Sequence, residues 1–257
     1  MGYCQVCEDF SNLGFVVVNI NDDELIDAVN KQIDALLSSA NYKANNPIYS
    51  YNESARVVES YKHSRASREL ATHPKILDTL RCLYSGEEPR PFSTINFIRS
   101  AHQPLHSDYA HFGTYPELRL AGSWIALEDI DPRSGPIGVI AGSHRDEIYR
   151  FPLDKEPKKL SSLKSLYNEY EDWVIEENNK RGRAIFYPAL KKGDCLIWDA
   201  NLLHGSPSCI DDTMSRKSMV VHWIIGSATE LYNPYFWDVK SGGYVRRKID
   251  EIRREEA

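Results

Sequence analysis

The spacing of apolar residues predicts two amphipathic helices in the first third of the chain. At positions 25–37 apolar side chains recur about every 3.6 residues, a period typical of a helix with one buried face. The polar run at positions 21–24 resembles a capping box at its start. A second apolar stripe at positions 76–84 follows Pro74, which suits the first turn of a helix. Residues 1–91 are therefore predicted to form a helical flank.

The pattern changes to short apolar runs bounded by turn residues after position 91, although one such run also precedes the helices. The runs predict strands near positions 15–18, 92–98, 118–127, 137–140, 184–190, 195–198 and 218–225. This order of elements predicts a mainly β fold with flanking helices, a double-stranded β-helix of the jelly-roll or cupin-like kind.

The same pattern predicts a single domain with two additions to its β body. The jelly-roll core is expected at residues 92–150 and 184–226. A helical insertion is expected at residues 151–183, where apolar residues form a helical stripe. Residues 227–257 are expected to form a C-terminal extension that ends in a surface helix.

Composition narrows the possible classes of partner. Hydrophobic residues make up 42% of the chain, charged residues 26%, and the net charge is −6, as in an ordinary globular protein. An acidic balance disfavours nucleic acid as a partner. No run approaches the roughly 20 apolar residues of a membrane span, and the first residues lack a basic region followed by an apolar one. We expect a cytoplasmic protein without a membrane partner.

The cysteines predict no disulfide framework. Five of them are scattered along the chain, and a protein of this size does not need disulfides for stability. Cys4 and Cys7 have the CxxC spacing of zinc or redox motifs, but no second CxxC is present. Two reduced thiols in a loose N-terminus are the alternative interpretation.

Three residues predict a metal site. His106 and Asp108 are two positions apart, so their side chains would point to the same side of a strand. His204, which follows another strand-like run, supplies a third ligand. Two histidines and one carboxylate on one face leave three positions open on Fe(II), as in non-haem iron oxygenases. A hydrogen-bonded trio in a jelly-roll core is the alternative.

The order of these residues resembles the phytanoyl-CoA dioxygenase family of Fe(II)- and 2-oxoglutarate-dependent oxygenases. The resemblance runs from about Phe92 to about Trp223, and Arg216 stands where the family has an arginine after its distal histidine. It implies that His106, Asp108 and His204 are the catalytic iron ligands, with 2-oxoglutarate and O2 as cosubstrates. Further similar stretches are Ser134-Gly135-Pro136, Ala141-Gly142-Ser143-His144-Arg145 and Lys192-Gly193-Asp194.

The resemblance also implies a cosubstrate pocket. Arg216 and Ser218, two apart on one predicted strand, would bind the distal carboxylate of 2-oxoglutarate through charge-assisted hydrogen bonds. The other residues that the resemblance places in this pocket are Thr94, Asn96, Gln103 and Trp124. Related halogenases have a small residue at the position of Asp108, so a carboxylate there favours hydroxylation, with release of succinate and CO2.

The substrate is expected to be a small polar metabolite or biosynthetic intermediate. Tyr109 and His111 follow the first metal ligands and are the predicted substrate contacts, although His111 could also have a surface or loop role. Two other functions remain open. One is a non-catalytic jelly-roll protein that binds a metal or ligand, and the other is a zinc hydrolase, in which Arg216 would have no role.

Overall fold

The computed structural model describes residues 5–39, 56–152, 160–238 and 243–254. Helices α1 to α5 span Gln5–Leu13, Asp23–Ser38, Arg65–Ala71, Pro74–Leu83 and Leu160–Arg181. Strands β1 to β11 span Phe15–Asn19, Arg56–Val58, Pro89–Phe97, Gly113–Tyr115, Leu120–Ala126, Gly138–Val139, Asp194–Asp199, His204–Gly205, Ser218–Ile225, Glu230–Asp238 and Gly243–Arg247. Short 3-10 turns lie at Ser60–Lys62, Asp108–Ala110 and Ser143–Arg145.

The strands form three antiparallel sheets. The largest has six strands in the order β1-β7-β5-β9-β3-β2, and the others have the orders β11-β10-β4 and β6-β8. Strands that are neighbours in the large sheet are mostly distant in sequence, as in a jelly roll. The predicted mainly β jelly-roll class with flanking helices is confirmed.

The large sheet buries both of its faces, and side chains alternate between them along each strand. On one face Ile125, Ile197 and Val221 belong to the core cluster that includes the buried stripe of α2. On the other face Trp124 and Trp198 pack in a second cluster. Residues with even numbers in β5 and β7 therefore face away from the helices and toward the interior of the jelly roll.

Helix α2 illustrates how sequence determines one of these layers. Asp22 caps its N-terminus, because its Oδ1 accepts a hydrogen bond of 3.0 Å from the backbone N–H of Leu25. Ile26, Val29 and Ile33 are its buried residues. Full burial of each such side chain contributes about 1.5–3 kcal/mol, which fixes the helix against the sheet.

The predicted helical flank also contributes to the β structure. Strands β1 and β2, within residues 1–91, are the two edges of the large sheet. Helix α5 falls within the predicted insertion, at residues 151–183. It is the longest helix, with 22 residues, and none of the described helices is long and apolar enough to cross a membrane.

The prediction of a C-terminal surface helix is wrong. Residues 243–247 instead form β11, which pairs with β10 through Leu231 opposite Arg247 and Tyr232 opposite Arg246. The apolar positions of this segment are few, so pairing with a strand overrides a weak helical pattern. The extension therefore adds a sheet to the body.

A close approach between β5 and β7 requires glycine at position 122. Gly122 pairs with Trp198, and a Cβ atom at this position would lie 2.2 Å from Cε2 of the buried Trp198 indole. We predict that Gly122→Ala lowers the free energy of unfolding by about 1–3 kcal/mol, the usual effect of overpacking a core. Urea denaturation measures this change.

A double-mutant cycle controls for other effects of the alanine. In a Trp198→Phe background the smaller ring leaves space near Gly122, so the loss caused by Gly122→Ala should be smaller. An equal loss in both backgrounds would contradict the proposed contact.

Candidate metal centre and cavity

A cavity of about 370 Å³ opens between the large sheet and the surrounding loops. It brings together residues that are distant in sequence. Of the residues predicted for the site, it is lined by Gln103, His106, Asp108, His111, Trp124, His204 and Arg216.

Backbone pairing places His106 and His204 side by side. The N–H of each residue donates a hydrogen bond of 2.9 Å to the carbonyl oxygen of the other. Their ring centroids are consequently 4.5 Å apart. The pairing continues where the N–H of Ser206 donates to the carbonyl oxygen of Gln103 at 2.9 Å. Gly205 is required between them, because a Cβ would lie 2.7 Å from the Pro104 carbonyl oxygen.

The two histidines are oriented as metal ligands. Nδ1 of His106 lies 2.8 Å from the carbonyl oxygen of Pro104, and Nδ1 of His204 lies 3.0 Å from that of Leu202. A carbonyl oxygen only accepts, so each Nδ1 carries the proton and each Nε2 has its lone pair as an acceptor. Burial lowers the pKa of both imidazoles, and they are therefore neutral, as metal binding requires.

Asp108 completes the group. Its side chain is buried, and the nearest donor atoms of His106, Asp108 and His204 all lie within 4.8 Å of one another. Nε1–H of Trp198 donates to Oδ2 of Asp108 at 2.7 Å, which leaves Oδ1 for other partners. Burial favours the neutral acid, but His222 and His204 nearby hold the pKa of Asp108 below its usual range. Asp108 is therefore an anion in the cavity.

The backbone around Asp108 differs from the strand that the sequence predicts. His106 forms an isolated bridge, and Asp108 begins a 3-10 turn. The N–H of Ser107, between them, donates to the hydroxyl oxygen of Tyr170 at 2.7 Å. Tyr170 lies in α5, so the helical insertion supports the segment that carries two of the three candidate ligands.

Arg216 is a buried cation without a carboxylate partner among the described residues. Only 3% of the residue is exposed, and its guanidinium donates weakly to the carbonyl oxygens of Gly135 at 3.2 Å and Arg99 at 3.4 Å. Its Nε has no hydrogen-bond partner in the described part of the chain. The guanidinium carbon lies 5.6 Å from the centroid of Trp124. Burial lowers the pKa of Arg216 to about 10, so it stays charged at neutral pH.

Two predicted cosubstrate residues lie on the wrong face of β3. Ile95 and Phe97 line the cavity, so Thr94 and Asn96 point to the opposite side. Oγ1 of Thr94 instead lies 3.0 Å from the Ser60 hydroxyl, in a buried contact. The interpretation of Thr94 and Asn96 as pocket residues is therefore corrected.

Ser218 also lies outside the cavity lining. It shares the face of β9 with Val220, which does line the cavity, but its hydroxyl donates to the Arg216 carbonyl oxygen at 3.4 Å. Ser218 contacts the backbone of Arg216 and not the space in front of its guanidinium.

Of the two predicted substrate residues, one lines the cavity and the other does not. His111 lines the cavity, with Nε2 3.1 Å from the Tyr167 hydroxyl and Nδ1 2.8 Å from the Tyr235 hydroxyl. Burial lowers the pKa of His111 to about 4, so it is neutral. Tyr109 is not a lining residue, and its hydroxyl lies 3.1 Å from that of Tyr232.

Sequence reasoning missed other residues of the cavity. His222 lies with Nε2 3.5 Å from Oδ1 of Asp108, although it was not among the predicted ligands. Its signal is parity, because it is an even number of positions after Arg216, which lies just before β9. The sequence also singled out no individual residue of β10 or β11, of which Asn233, Tyr235 and Arg247 line the cavity.

The residues present fit Fe(II). Two neutral imidazoles and one carboxylate, all buried and close together, are the donor set that non-haem iron prefers. The hydrogen bonds from Nδ1 of each histidine and to Oδ2 of Asp108 are the outer contacts that orient such ligands.

A model of the phytanoyl-CoA dioxygenase family matches residues 10–216. Ectoine dioxygenase of Sphingopyxis alaskensis is 26% identical over 189 residues, which cover 70% of this chain and 60% of that protein. Peroxisomal phytanoyl-CoA dioxygenase of Bos taurus is 25% identical over 166 residues, which cover 61% of this chain and 46% of that protein. The chain thus spans about half to three fifths of the length of these relatives.

Solved structures share the fold. EctD from S. alaskensis with 2-oxoglutarate and 5-hydroxyectoine has a TM-score of 0.67 at 20% identity, covering 98% of this chain and 86% of that one. The non-haem α-ketoglutarate-dependent carbocyclase SnoK from nogalamycin biosynthesis has a TM-score of 0.65 at 16% identity, covering 93% and 88%.

We predict that Trp198→Phe lowers the affinity for Fe(II) about 10- to 100-fold, because the hydrogen bond that orients Asp108 is lost. Anaerobic titration of the metal-free protein with Fe(II) measures this. Trp223→Phe is the matched control, since its buried indole donates to Ser123 on the helix-facing side of the sheet. Equal affinities of the two variants would contradict the role of Trp198.

Proposed function

Because the chain belongs to the phytanoyl-CoA dioxygenase family, we propose that it is an Fe(II)- and 2-oxoglutarate-dependent dioxygenase that hydroxylates a small polar molecule. One observation carries the proposal. His106, Asp108 and His204 converge in the same cavity that contains Arg216, a cation without a carboxylate partner among the described residues. The overall reaction converts 2-oxoglutarate, O2 and a C–H bond of the substrate into succinate, CO2 and a C–OH group.

His106, Asp108 and His204 would hold Fe(II) in the cavity. Bound Fe(II) would supply the open coordination positions at which 2-oxoglutarate and O2 react. Trp198 orients Asp108, and the carbonyl oxygens of Pro104 and Leu202 orient the imidazoles. These contacts hold the ligands in place before the metal arrives, which reduces the reorganisation that binding requires.

Arg216 is the proposed partner of the distal carboxylate of 2-oxoglutarate. An arginine fork can donate two parallel hydrogen bonds to a carboxylate, and burial strengthens them. Trp124 stacks beside the guanidinium and restricts its position. Gln103 is a further proposed cosubstrate contact, because it lines the cavity and its Nε2 lies 3.3 Å from Nε2 of His106. Ser218 contributes through the backbone of Arg216.

The walls of the cavity support exclusion of bulk water. Apolar side chains of Phe112, Ile137 and Val220 also line the cavity. A low-dielectric wall strengthens the attraction between Arg216 and an anion. It also limits hydrolysis and other side reactions at the reacting centre.

The far side of the cavity supports a polar substrate. His111, Asn233, Tyr235 and Arg247 offer hydrogen-bonding groups there, and the Arg247 guanidinium carbon lies 4.7 Å from the centroid of Phe112. A volume of about 370 Å³ suits a small molecule. Tyr109 and its hydroxyl contact Tyr232 do not line the cavity, so the proposal assigns no substrate contact to Tyr109. A screen of small polar metabolites tests this proposal. A substrate should increase the rate of succinate formation.

The alternatives from the sequence receive less support. A zinc hydrolase needs a carboxylate base, and Asp108 is the sole acidic side chain among the described residues that line the cavity. A binding protein without catalysis would bind metal and 2-oxoglutarate but consume no O2. We further propose that the enzyme is cytoplasmic. Cell fractionation tests this location.

We predict that the protein with Fe(II), O2 and 2-oxoglutarate forms succinate, even slowly without a substrate. Asp108→Ala should remove this turnover, because it deletes one of three ligands. Its circular dichroism spectrum should match that of the wild type, which shows that the fold is retained. Succinate is measured by mass spectrometry. Turnover of Asp108→Ala at the wild-type rate, or no turnover of the iron-loaded wild type, would contradict the proposal.

Arg216→Leu should raise the apparent KM for 2-oxoglutarate by roughly 10- to 100-fold, since hydrogen bonds to charged groups contribute about 1.5–3 kcal/mol. Initial rates of succinate formation against 2-oxoglutarate concentration measure the change. The control is Arg65→Leu, which removes an exposed arginine of α3 that does not line the cavity. An unchanged KM in Arg216→Leu would show that another group binds the cosubstrate.

A further inference from the structure

A second group of possible metal ligands lies outside the cavity. Nε2 of His102 is 2.9 Å from Oδ1 of Asp212, and the donor atoms of His102, Cys209 and Asp212 all lie within 4.8 Å of one another. His102 and Cys209 are half-buried and Asp212 is exposed. None of the three lines the cavity that contains His106 and Arg216.

We propose that His102, Cys209 and Asp212 form a structural site for Zn²⁺, distinct from the catalytic metal centre. Imidazole nitrogen, thiolate sulfur and carboxylate oxygen are the three donors that zinc accepts, and water would take the fourth position. The group at His106 has no sulfur and suits iron, whereas a thiolate selects a softer ion. On binding, Cys209 loses its thiol proton to solvent as the sulfur–zinc bond forms.

The local backbone supports a fixed arrangement of these ligands. His102 has a φ of 48°, in the left-handed region that residues other than glycine seldom adopt. Such a conformation is retained only where neighbouring contacts hold it, and it is enriched at ligand sites. Ser100 provides one contact, because its hydroxyl accepts from the N–H of His102 at 3.3 Å. On the other segment, Sγ of Cys209 lies 3.6 Å from the Arg133 carbonyl oxygen.

The position of the site suggests what the ion would stabilise. His102 lies just before His106, and Asp212 lies just before Arg216 in sequence. The two segments are already joined by the Ser206 N–H, which donates to the Gln103 carbonyl oxygen at 2.9 Å. A zinc ion would link the segment that leads to the first iron ligand with the segment that leads to the cosubstrate arginine. It would fix their spacing without taking part in the reaction.

Cobalt(II) provides a test that separates the two metal sites. The catalytic ligands include no cysteine, so only a cysteine-containing site gives a near-ultraviolet charge-transfer band from sulfur to cobalt. We expect this band when the metal-free full-length protein is titrated anaerobically with Co(II). Cys209→Ser should abolish it, and Cys82→Ser, at an exposed cysteine of α4, should retain it. His102→Ala should weaken the binding that produces the band at least tenfold, because loss of a ligand's hydrogen-bonding partner alone costs ~10–100-fold.

Three outcomes overturn the proposal: no band in the wild type, a band that persists in Cys209→Ser, or a band that Cys82→Ser removes.

A second measurement needs no variant. Zn²⁺ should slow alkylation of Cys209 by iodoacetamide in the wild-type protein, as followed by peptide mass spectrometry. An unchanged rate of alkylation with saturating zinc would equally overturn it. Neither readout depends on turnover, so the result is independent of the proposed oxygenase activity.

Discussion

The reciprocal hydrogen bonds between the backbones of His106 and His204 are the interaction on which the candidate site depends. These two residues, almost 100 positions apart in sequence, are joined by a pair of 2.9 Å bonds, and this pairing sets the imidazoles side by side. A backbone pair is insensitive to the protonation of the rings, so the ligands keep their positions with or without a metal. Asp108 is not part of this backbone pair, so its carboxylate needs another contact to fix its position. Trp198 of β7 provides that contact through its hydrogen bond to Oδ2.

Two buried charges of opposite sign share the cavity without pairing with each other. Asp108 accepts a hydrogen bond from the Trp198 N–H, whereas Arg216 donates weakly to two carbonyl oxygens and has no carboxylate partner among the described residues. A buried charge without a partner costs several kcal/mol. The fold bears this cost at Arg216, where a carboxylate ligand would remove it. An anionic ligand that pairs with Arg216 would therefore stabilise the folded protein. The carboxylate of Asp108 would in turn attract a metal cation.

The sequence predicted the family, the fold class and the convergence of the three ligands, because these depend on residue types in a fixed order. It failed where strand register decides. The pairing of β3 with β9 shifts between Pro91 and Ser93, and a shift of one residue exchanges the faces of a strand. The family resemblance placed Thr94 and Asn96 in the pocket, but the register of β3 in this chain turns Ile95 and Phe97 toward the cavity instead. No pattern of residue types marks such a shift before the partner strand is known.

The same limits explain why the family indicates the reaction more clearly than the substrate. The family model ends at Arg216, so it includes the three candidate ligands and the proposed cosubstrate arginine. His222, Asn233, Tyr235 and Arg247 line the cavity but lie beyond that residue. The relatives are named for different substrates, ectoine and phytanoyl-CoA. The polar wall contributed by β10 and β11 therefore lies outside the part of the chain that the family model covers. Side chains in such a wall can change while the ligands at the metal stay the same, so one fold and one chemistry are compatible with different substrates.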